Sequence, residues 1–390
     1  MQNKSHYIVV GSGLAGSTFI AAMASKAEKI TLLERCLPDA VIGSKDQRPI
    51  SLSYSTVIML RNLGVWDKLA KHAGAIDCVH VSEQNRFGSL TLKASDAELH
   101  ALGYVVPFHL LSEALYECAM SQSNVECISV TDITAINETD GVCVTYASND
   151  GECDIRGDYL IAADGMNSRC RELLDIKVKE SSHNDMALTA MLTLAGSHNG
   201  VAYERFTKQG VLALLPMWDR HQYRLVWTID KARFDELTDE ALLRVVGDTF
   251  GSRVGAIKNL SRMGDYPLKT SSASKQITEH CVLLGDSAHR IYPLAAQGYN
   301  LTVRDCAMLV DILSAGGSLE EYAKLRRSDQ KFISCFTQGL EWVFGLQLPL
   351  LDHLRSTALL KMDLLVPLKK KLILKILGRG SKQPELLCEE

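Results

Sequence analysis

The sequence contains no apolar run near the roughly 18 residues that a bilayer-spanning helix needs, so none is predicted. Neither sign of charge dominates. Lys and Arg number 42 against 46 Asp and Glu, and the net charge of −4 supplies no global positive field to hold nucleic acid. There is no Cys-x-x-Cys pair and no Cys/His cluster at zinc spacing, so no metal site is expected. The 11 cysteines are odd in number and scattered from Cys36 to Cys388. They read as reduced packing thiols in a cytoplasmic protein. Met1 to Tyr7 is polar, and no basic-plus-apolar leader precedes the first strand pattern. Internal repeats and low-complexity segments are missing as well. What remains is 390 residues with 46% hydrophobic and 23% charged side chains, the composition of a globular chain of two or three domains.

The first 35 residues read as a βαβ unit. Tyr7–Val10 is a short apolar run of the kind a buried parallel strand shows, Gly11–Gly16 a turn, Ser17–Lys26 a helix, and Ile30–Leu33 a second strand ending at Glu34. Two further apolar strands, Tyr159–Ala163 and Cys281–Leu284, end in Asp164-Gly165 and Gly285-Asp286. Parallel sheets bind ligands beyond the carboxyl ends of their strands, so these three distant pieces predict one nucleotide site. Val125–Ala147 and Ala187–Ile229 carry the β-branched, partly alternating texture of antiparallel strands, with Leu212–Pro216 and Arg224–Thr228 paired. Phe234–Phe250 reads as a helix. Beyond Asn300 the pattern is helical to the end, with a break at Pro367.

Gly11-x-Gly13-x-x-Gly16 follows a strand, opens a helix and is answered by Glu34 eighteen residues past Gly16. The glycines let backbone N–H groups approach a pyrophosphate, and the helix N-terminus adds partial positive charge. Glu34 accepts from a ribose 2′-hydroxyl and repels a 2′-phosphate, which favours FAD or NAD over NADP here. A second motif is Asp164-Gly165-x-x-Ser168-x-x-Arg171. A third runs Gly285-Asp286-Ser287-Ala288-His289, then Pro293, Gln297, Gly298 and Asn300.

Together these three motifs resemble the single-component FAD-dependent aromatic hydroxylases related to p-hydroxybenzoate hydroxylase. Arg48–Tyr54, Leu63–Trp66, Tyr203–Thr207, Ala213–Pro216, Leu225–Trp227 and Met362–Leu368 resemble the ubiquinone-biosynthesis branch, and within it the 2-polyprenyl-6-methoxyphenol hydroxylases. The resemblance implies an α/β fold: a Rossmann-like FAD-binding domain of the GR2 type (residues 1–75, 101–178 and 271–330), an inserted antiparallel β-sheet substrate domain (76–100 and 179–270) and a C-terminal helical region (331–390). It implies FAD as cofactor and NADPH or NADH as co-substrate. The cofactor-binding set it implies is Gly11, Gly13, Ala15, Gly16, Glu34, Arg35, Arg48, Asp164, Asp286, Pro293, Gln297, Gly298 and Asn300. The flavin carries the chemistry, so no protein catalytic residue is assigned. The implied reaction is O2-dependent hydroxylation of the ring of a polyprenylated phenol. The alternatives are a flavoenzyme acting on another aromatic or isoprenoid substrate, or a non-catalytic flavoprotein scaffold in a quinone-biosynthesis complex. No second Gly-x-Gly-x-x-Gly is present for a separate nicotinamide domain, and the halogenase Trp-x-Trp-x-Ile-Pro signature is missing.

The sequence departs from the family pattern at three places. Ala296 and Thr302 replace glycines beside the flavin, and Phe108-His109 stands where an arginine opens a helix. An alanine tolerates positive φ poorly, which bears on flavin mobility. His289 reads equally as a structural and as a titrating residue, while Tyr54, Tyr203, Arg205 and Trp227 read as sheet or core residues before cavity residues. Leu368–Leu377 has helical apolar spacing interleaved with Lys369–Lys371. It reads equally as a helix packed on the body and as a peripheral contact with anionic lipid at the inner face of the membrane, or with a partner.

Overall fold

A computed structural model describes residues 5–35, 48–345, 349–380 and 383–389. Cys36 lies outside them; the other ten cysteines are free thiols. The helices are α1 (Leu14–Met23), α2 (Tyr54–Asn62), α3 (Trp66–Ala70), α4 (Phe108–Met120), α5 (Arg169–Leu173), α6 (Lys231–Asp235), α7 (Asp239–Phe250), α8 (Gly298–Ser314), α9 (Leu319–Gly345), α10 (Pro349–Leu364) and α11 (Val366–Ile376). None among the described residues is long and apolar enough to cross a membrane.

The apolar run at the start of the chain becomes the centre of a five-stranded parallel sheet. Its order is Cys281–Leu283, Tyr159–Ala162, His6–Val10, Lys29–Glu34, Val125–Ser129. Strand alternation sends Tyr7 and Val9 to one face, where α1 and α8 cover them with Phe19, Met23, Val303 and Val310. Ile8 and Val10 go to the other face. A three-stranded antiparallel meander covers them, formed by Asp132–Asn137, Val142–Ser148 and Gly151–Gly157. Both faces are therefore buried, as the unbroken apolar strands require.

The second large element is an eight-stranded sheet. Its order is His289–Arg290, Ile257–Ala273, Val178–Leu194, Gln222–Asp230, Gly210–Pro216, Val201–Thr207, Cys78–Glu83, Ser89–Lys93. Leu212 pairs with Trp227 and Pro216 with Tyr223, the hairpin expected from the sequence. On one face α7 lays Leu242, Val246 and Phe250 against Leu188, Leu212, Leu225 and Trp227. The other face turns toward the five-stranded sheet and bounds a cavity.

Three expectations are corrected. Val125–Ser129 pairs parallel with Lys29–Glu34 and belongs to the first sheet, because a half-exposed edge strand has the same alternating texture in either sheet type. The expected helix Phe234–Phe250 is two helices. Thr238 accepts a hydrogen bond from Ala241 N at 3.2 Å and starts α7 afresh. Pro367 sits in the first turn of α11, where a missing N–H costs nothing, so the chain breaks at Leu365 instead.

The C-terminal helix packs on the body. Ile373 and Leu377 are buried against Ile76, Leu92 and Ala97. Lys369, 7% exposed, donates to Thr91 O at 3.2 Å and pairs with Asp96 and Asp363 at 3.4 Å. Lys370 pairs with Glu98 at 2.7 Å. The elbow between α10 and α11 remains uncovered: Leu364, Leu365, Val366 and Leu368 are all exposed, Leu364 by 71%.

Candidate functional site

The three motifs meet at the carboxyl edge of the five-stranded sheet. Gly11 adopts φ +98°, and a Cβ there would lie 2.6 Å from Ala163 O, so only glycine lets the first loop lie against the end of Tyr159–Ala162. Gly16 is as constrained, since its Cβ would meet Gly11 O. At Gly13, by contrast, a Cβ would meet nothing, and no side chain caps α1. The first N–H groups of α1 therefore have no capping side chain among the described residues. Glu34 reaches back to the same loop, where its carboxylate accepts a hydrogen bond from Ser12 N at 2.5 Å. Arg35 turns away to an ion pair with Asp132 on the meander.

Ser168 caps α5 through Arg171 N at 2.9 Å, and Asp164 Oδ2 accepts from Cys170 N at 3.0 Å. Asp164 Oδ1 is buried and has no partner among the described residues. Arg171, itself buried, donates to Met166 O at 2.9 Å and to Ser287 O at 3.0 Å. That side chain is why the second motif needs its arginine: it rivets the second motif to the third. Gly285 in turn lies against Ala15 of α1 and Thr302 of α8.

Asp286 projects into the cleft with 56% of its side chain exposed. The crowding walls push its carboxyl pKa up, while Arg290, 4.0 Å away, and His289 pull it down. Next in the chain, Ala295 and Ala296 both have positive φ, +54° and +50°. Pro293 and Gly298 are exposed beside them. Gln297 is 4% exposed; its Nε2 donates to Ala295 O at 2.9 Å and its Oε1 is buried without a partner among the described residues. No side chain caps α8 at Gln297. Asn300 makes all four of its amide hydrogen bonds to protein: Oδ1 accepts from Ser53 N and Thr56 Oγ1, and Nδ2 donates to Ser51 O and Ala296 O, all within 3.0 Å. It ties α8 to α2 and leaves only its backbone for a ligand. Arg48 stacks on Phe108 at 5.1 Å and Tyr266 at 5.8 Å, which is the work of the aromatic side chain at the start of α4.

His289 Nε2 lies 2.9 Å from Asp305 Oδ2 on α8. Asp305 is wholly buried and also accepts from Arg326 at 2.6 Å and Gln330 at 3.0 Å; Asp329 joins Arg326 and Arg304, each at 2.8 Å. This cluster locks α8 and α9 to the third motif and makes the structural side of His289 visible. Burial alone raises the Asp305 pKa, but Arg326 and His289 hold it down at about 2.

Between these motifs and the eight-stranded sheet lies an apolar cavity of about 500 Å³. Asp286, Pro293, Gln297 and Gly298 stand at one side, and Leu372, Ile376 and Leu377 of the C-terminal segment at another. Its floor is sheet: Val79, Val81, Ala202, Glu204, Ala213 and Val226. Tyr54 and Trp227 are core residues, and Arg205 bonds Ser82 Oγ at 2.8 Å on the far face. Glu204 went unmarked in the sequence. Its signal was there: Ala202 and Phe206, two residues either side, are apolar, so the alternation turns a lone carboxyl inward. A second groove of about 670 Å³ runs between α9 and His289–Tyr292. Lys179, Lys275, Lys324, Arg327 and Lys331 line it without carboxylate partners among the described residues.

The residues present fit a dinucleotide. Two uncapped helix N-termini suit anionic groups, and the unpartnered Asp164 Oδ1 and the projecting Asp286 are acceptors suited to ribose or ribityl hydroxyls. A family model described as an FAD binding domain matches residues 4–325. The chain is 26% identical to a ubiquinone hydroxylase of Rhodospirillum rubrum, over 97% of this chain and 90% of that protein. It is also 26% identical to the 3-demethoxyubiquinol 3-hydroxylase of Escherichia coli, over 95% and 97%. Among solved structures it is similar to p-nitrophenol 4-monooxygenase of Pseudomonas putida, with a TM-score of 0.75 at 16% identity over 98% of this chain and all of that one. An aklavinone-11 hydroxylase in complex with FAD and aklavinone has a TM-score of 0.65 at 20% identity, over 87% and 69%.

Proposed function

Because the chain belongs to the FAD-binding domain family, we propose that it is an FAD-dependent monooxygenase that uses NADPH or NADH and O2 to hydroxylate the ring of a polyprenylated phenol in ubiquinone biosynthesis. The observation that carries this reading is the apolar cavity. It runs from Asp286 and the N-terminus of α8 to the C-terminal helices, with aliphatic walls suited to a ring and a prenyl tail.

In this reading Gly11, Gly13, Ala15 and Gly16 set the α1 N-terminus against the FAD pyrophosphate. Glu34 takes the adenosine ribose, with Arg35 steadying the strand end through Asp132. Asp164 and Asp286 accept from the ribose and ribityl hydroxyls. Pro293, Gln297, Gly298 and Arg48 would hold the flavin ring, and Asn300 fixes the α8 N-terminus beside them. When bound, the flavin supplies hydride acceptance and O2 activation. The chain's own work is to orient the phenol ring, hold the tail and exclude water from the reacting atoms. The cationic groove beside His289 suits the phosphates of the pyridine nucleotide. The exposed Leu364–Leu368 elbow, with Lys361 and Lys371 also exposed near it, suits a peripheral contact with a membrane from which a prenylated substrate is drawn.

The test is flavin-loaded protein given NADPH and a farnesylated methoxyphenol. The expected result is stimulated NADPH oxidation and a product one oxygen heavier by mass spectrometry. Stimulation by small soluble phenols alone would move the substrate class, and bound flavin with no stimulation by any phenol would leave a scaffold. Asp286→Ala should remain folded and lose flavin on gel filtration; full retention would remove Asp286 from the site.

A further inference from the structure

Glu204 lies in the strand Val201–Thr207, whose alternation places Ala202, Glu204 and Phe206 on the cavity face. Its neighbours across the sheet are Ala213 on one side and Val81 on the other, with Val226 beyond Ala213. It is therefore a carboxyl set into an aliphatic floor. Oε1 accepts one hydrogen bond, from Ala295 N at 3.3 Å, in the turn where Ala295 and Ala296 hold positive φ. Oε2 has no protein partner among the described residues, and the side chain lines the cavity. Tyr203 and Arg205 flank it in sequence but point to the opposite face. Besides Tyr203, whose ring turns away, the titratable or charged residues lining the cavity are Tyr266, Asp286, Arg290 and Tyr299. From the helices opposite, the lining is apolar, Phe336, Leu340, Met362 and Ile376 among it. A bare carboxyl in such a place is costly to keep unless it is used.

We propose that Glu204 is the base that takes the phenol proton of the substrate. This rests on the reading of the protein as a phenol hydroxylase. As a new C–O bond forms at the ring carbon ortho or para to the hydroxyl, the O–O bond of the O2-derived oxidant breaks and the ring loses electron density. The O–H bond of the phenol breaks, its electron pair becomes the C=O bond of a dienone, and the proton goes to Glu204 Oε2. The proton on the attacked carbon then passes to the oxygen left by that cleavage, which departs as water, and the ring becomes aromatic again. The carbonyl oxygen takes its proton back from Glu204, which returns to the carboxylate. Oxygen and reducing equivalents are those of the monooxygenase reaction, and Glu204 is unchanged overall. Burial pushes the Glu204 pKa up, while the Ala295 N–H pulls it part of the way back. That brings a carboxylate closer to the working pH of a general base.

Glu204→Gln keeps an acceptor for Ala295 N and removes the base. The expected result is normal flavin binding and visible spectrum, normal binding of farnesylated methoxyphenol, and hydroxylation slowed about 100-fold or more. The acidic limb of the kcat profile should vanish. A ring-fluorinated prenylphenol, already ionised at the assay pH, should recover most of the rate in the variant and little in the parent. Glu204→Asp, a shorter base, should keep a measurable fraction of the rate. If the parent hydroxylates the prenylphenol and Glu204→Gln matches it in rate and pH dependence, the base assignment is wrong. It is equally wrong if the variant loses flavin, or if the fluorinated phenol brings no recovery; Glu204 then serves only to tie Ala295. If the parent itself hydroxylates no prenylphenol, the functional reading falls, and the base assignment with it.

Discussion

Asp305, wholly buried, and Glu204, half-buried in the cavity floor, are two carboxylates of the same molecule that are treated in opposite ways. Asp305 receives Arg326, Gln330 and His289 within 3.0 Å and is held at a pKa of about 2. Glu204 receives one backbone N–H at 3.3 Å, and its pKa is raised. Burial pushes both upward; the number and charge of the partners decides the outcome. The first arrangement fastens α8 and α9 to the third motif. The second leaves an acid whose proton affinity remains free to matter beside a ligand.

The sharpest way to break this contrast is Arg326→Met. It takes a buried charge partner from both Asp305 and Asp329, leaving His289 and Gln330 on the first and Arg304 on the second. Removing one partner of a buried pair costs about 3–5 kcal/mol, read as a fall in the guanidinium midpoint at pH 7. A loss under about 1 kcal/mol would mean the cluster is not a fastener. A smaller effect separates the two acids by sign. Asp305 has a depressed pKa, so its stabilisation is complete above the ordinary Asp value of about 3.9 and is lost as pH falls toward 2. Glu204 has a raised one, so the folded state binds its proton more tightly than the unfolded chain. Stability contributed there declines as pH rises past the ordinary Glu value of about 4.3. Urea unfolding of Glu204→Gln against the parent should therefore show the variant gaining ground between pH 4 and 8. A variant that loses ground over that range would reverse the sign assigned to Glu204.

The smallest effect belongs to the turn that Glu204 holds. A left-handed alanine costs about 1–2 kcal/mol. A glycine gives back about 0.4–1 kcal/mol through the freer unfolded chain. Ala296→Gly should raise stability by no more than about 1 kcal/mol and speed flavin reduction by loosening the turn. A drop in Tm would show that the two alanines sit there without strain.

The parts of the site legible in the sequence are those whose chemistry is local. Gly11–Gly16 with Glu34, Asp164–Arg171 and Gly285–His289 each carry their turn, cap or strand end within a few residues, and the structure brings all three together. Asn300 stood out by resemblance, but that its amide is spent on Ser51, Ser53, Thr56 and Ala296 depends on segments far away in the chain. Val125–Ser129 reads as antiparallel because an edge strand half open to water looks the same in parallel and antiparallel sheets. Glu204 was hidden for a third reason. One charged residue in a strand reads as solvent-facing unless the face of its neighbours is asked first. Lys369 carries the same lesson reversed: a lysine run reads as a wet surface, and one member lies buried between Asp96 and Asp363.

The strand order also sets the timetable on which the protein is assembled during synthesis. His6–Val10 leaves the ribosome early with only Lys29–Glu34 to pair with. Its other neighbour, Tyr159–Ala162, arrives much later, and Cys281–Leu283 later again. Such non-local pairings are slow, and the nascent chain keeps unpaired strand edges meanwhile. Once Gly298–Ser314 has followed, every motif of the dinucleotide cleft has been translated. The wall formed by Leu372, Ile376 and Leu377 has not. Translation thus finishes the dinucleotide cleft before the apolar wall, and α11, which closes the cavity, follows both.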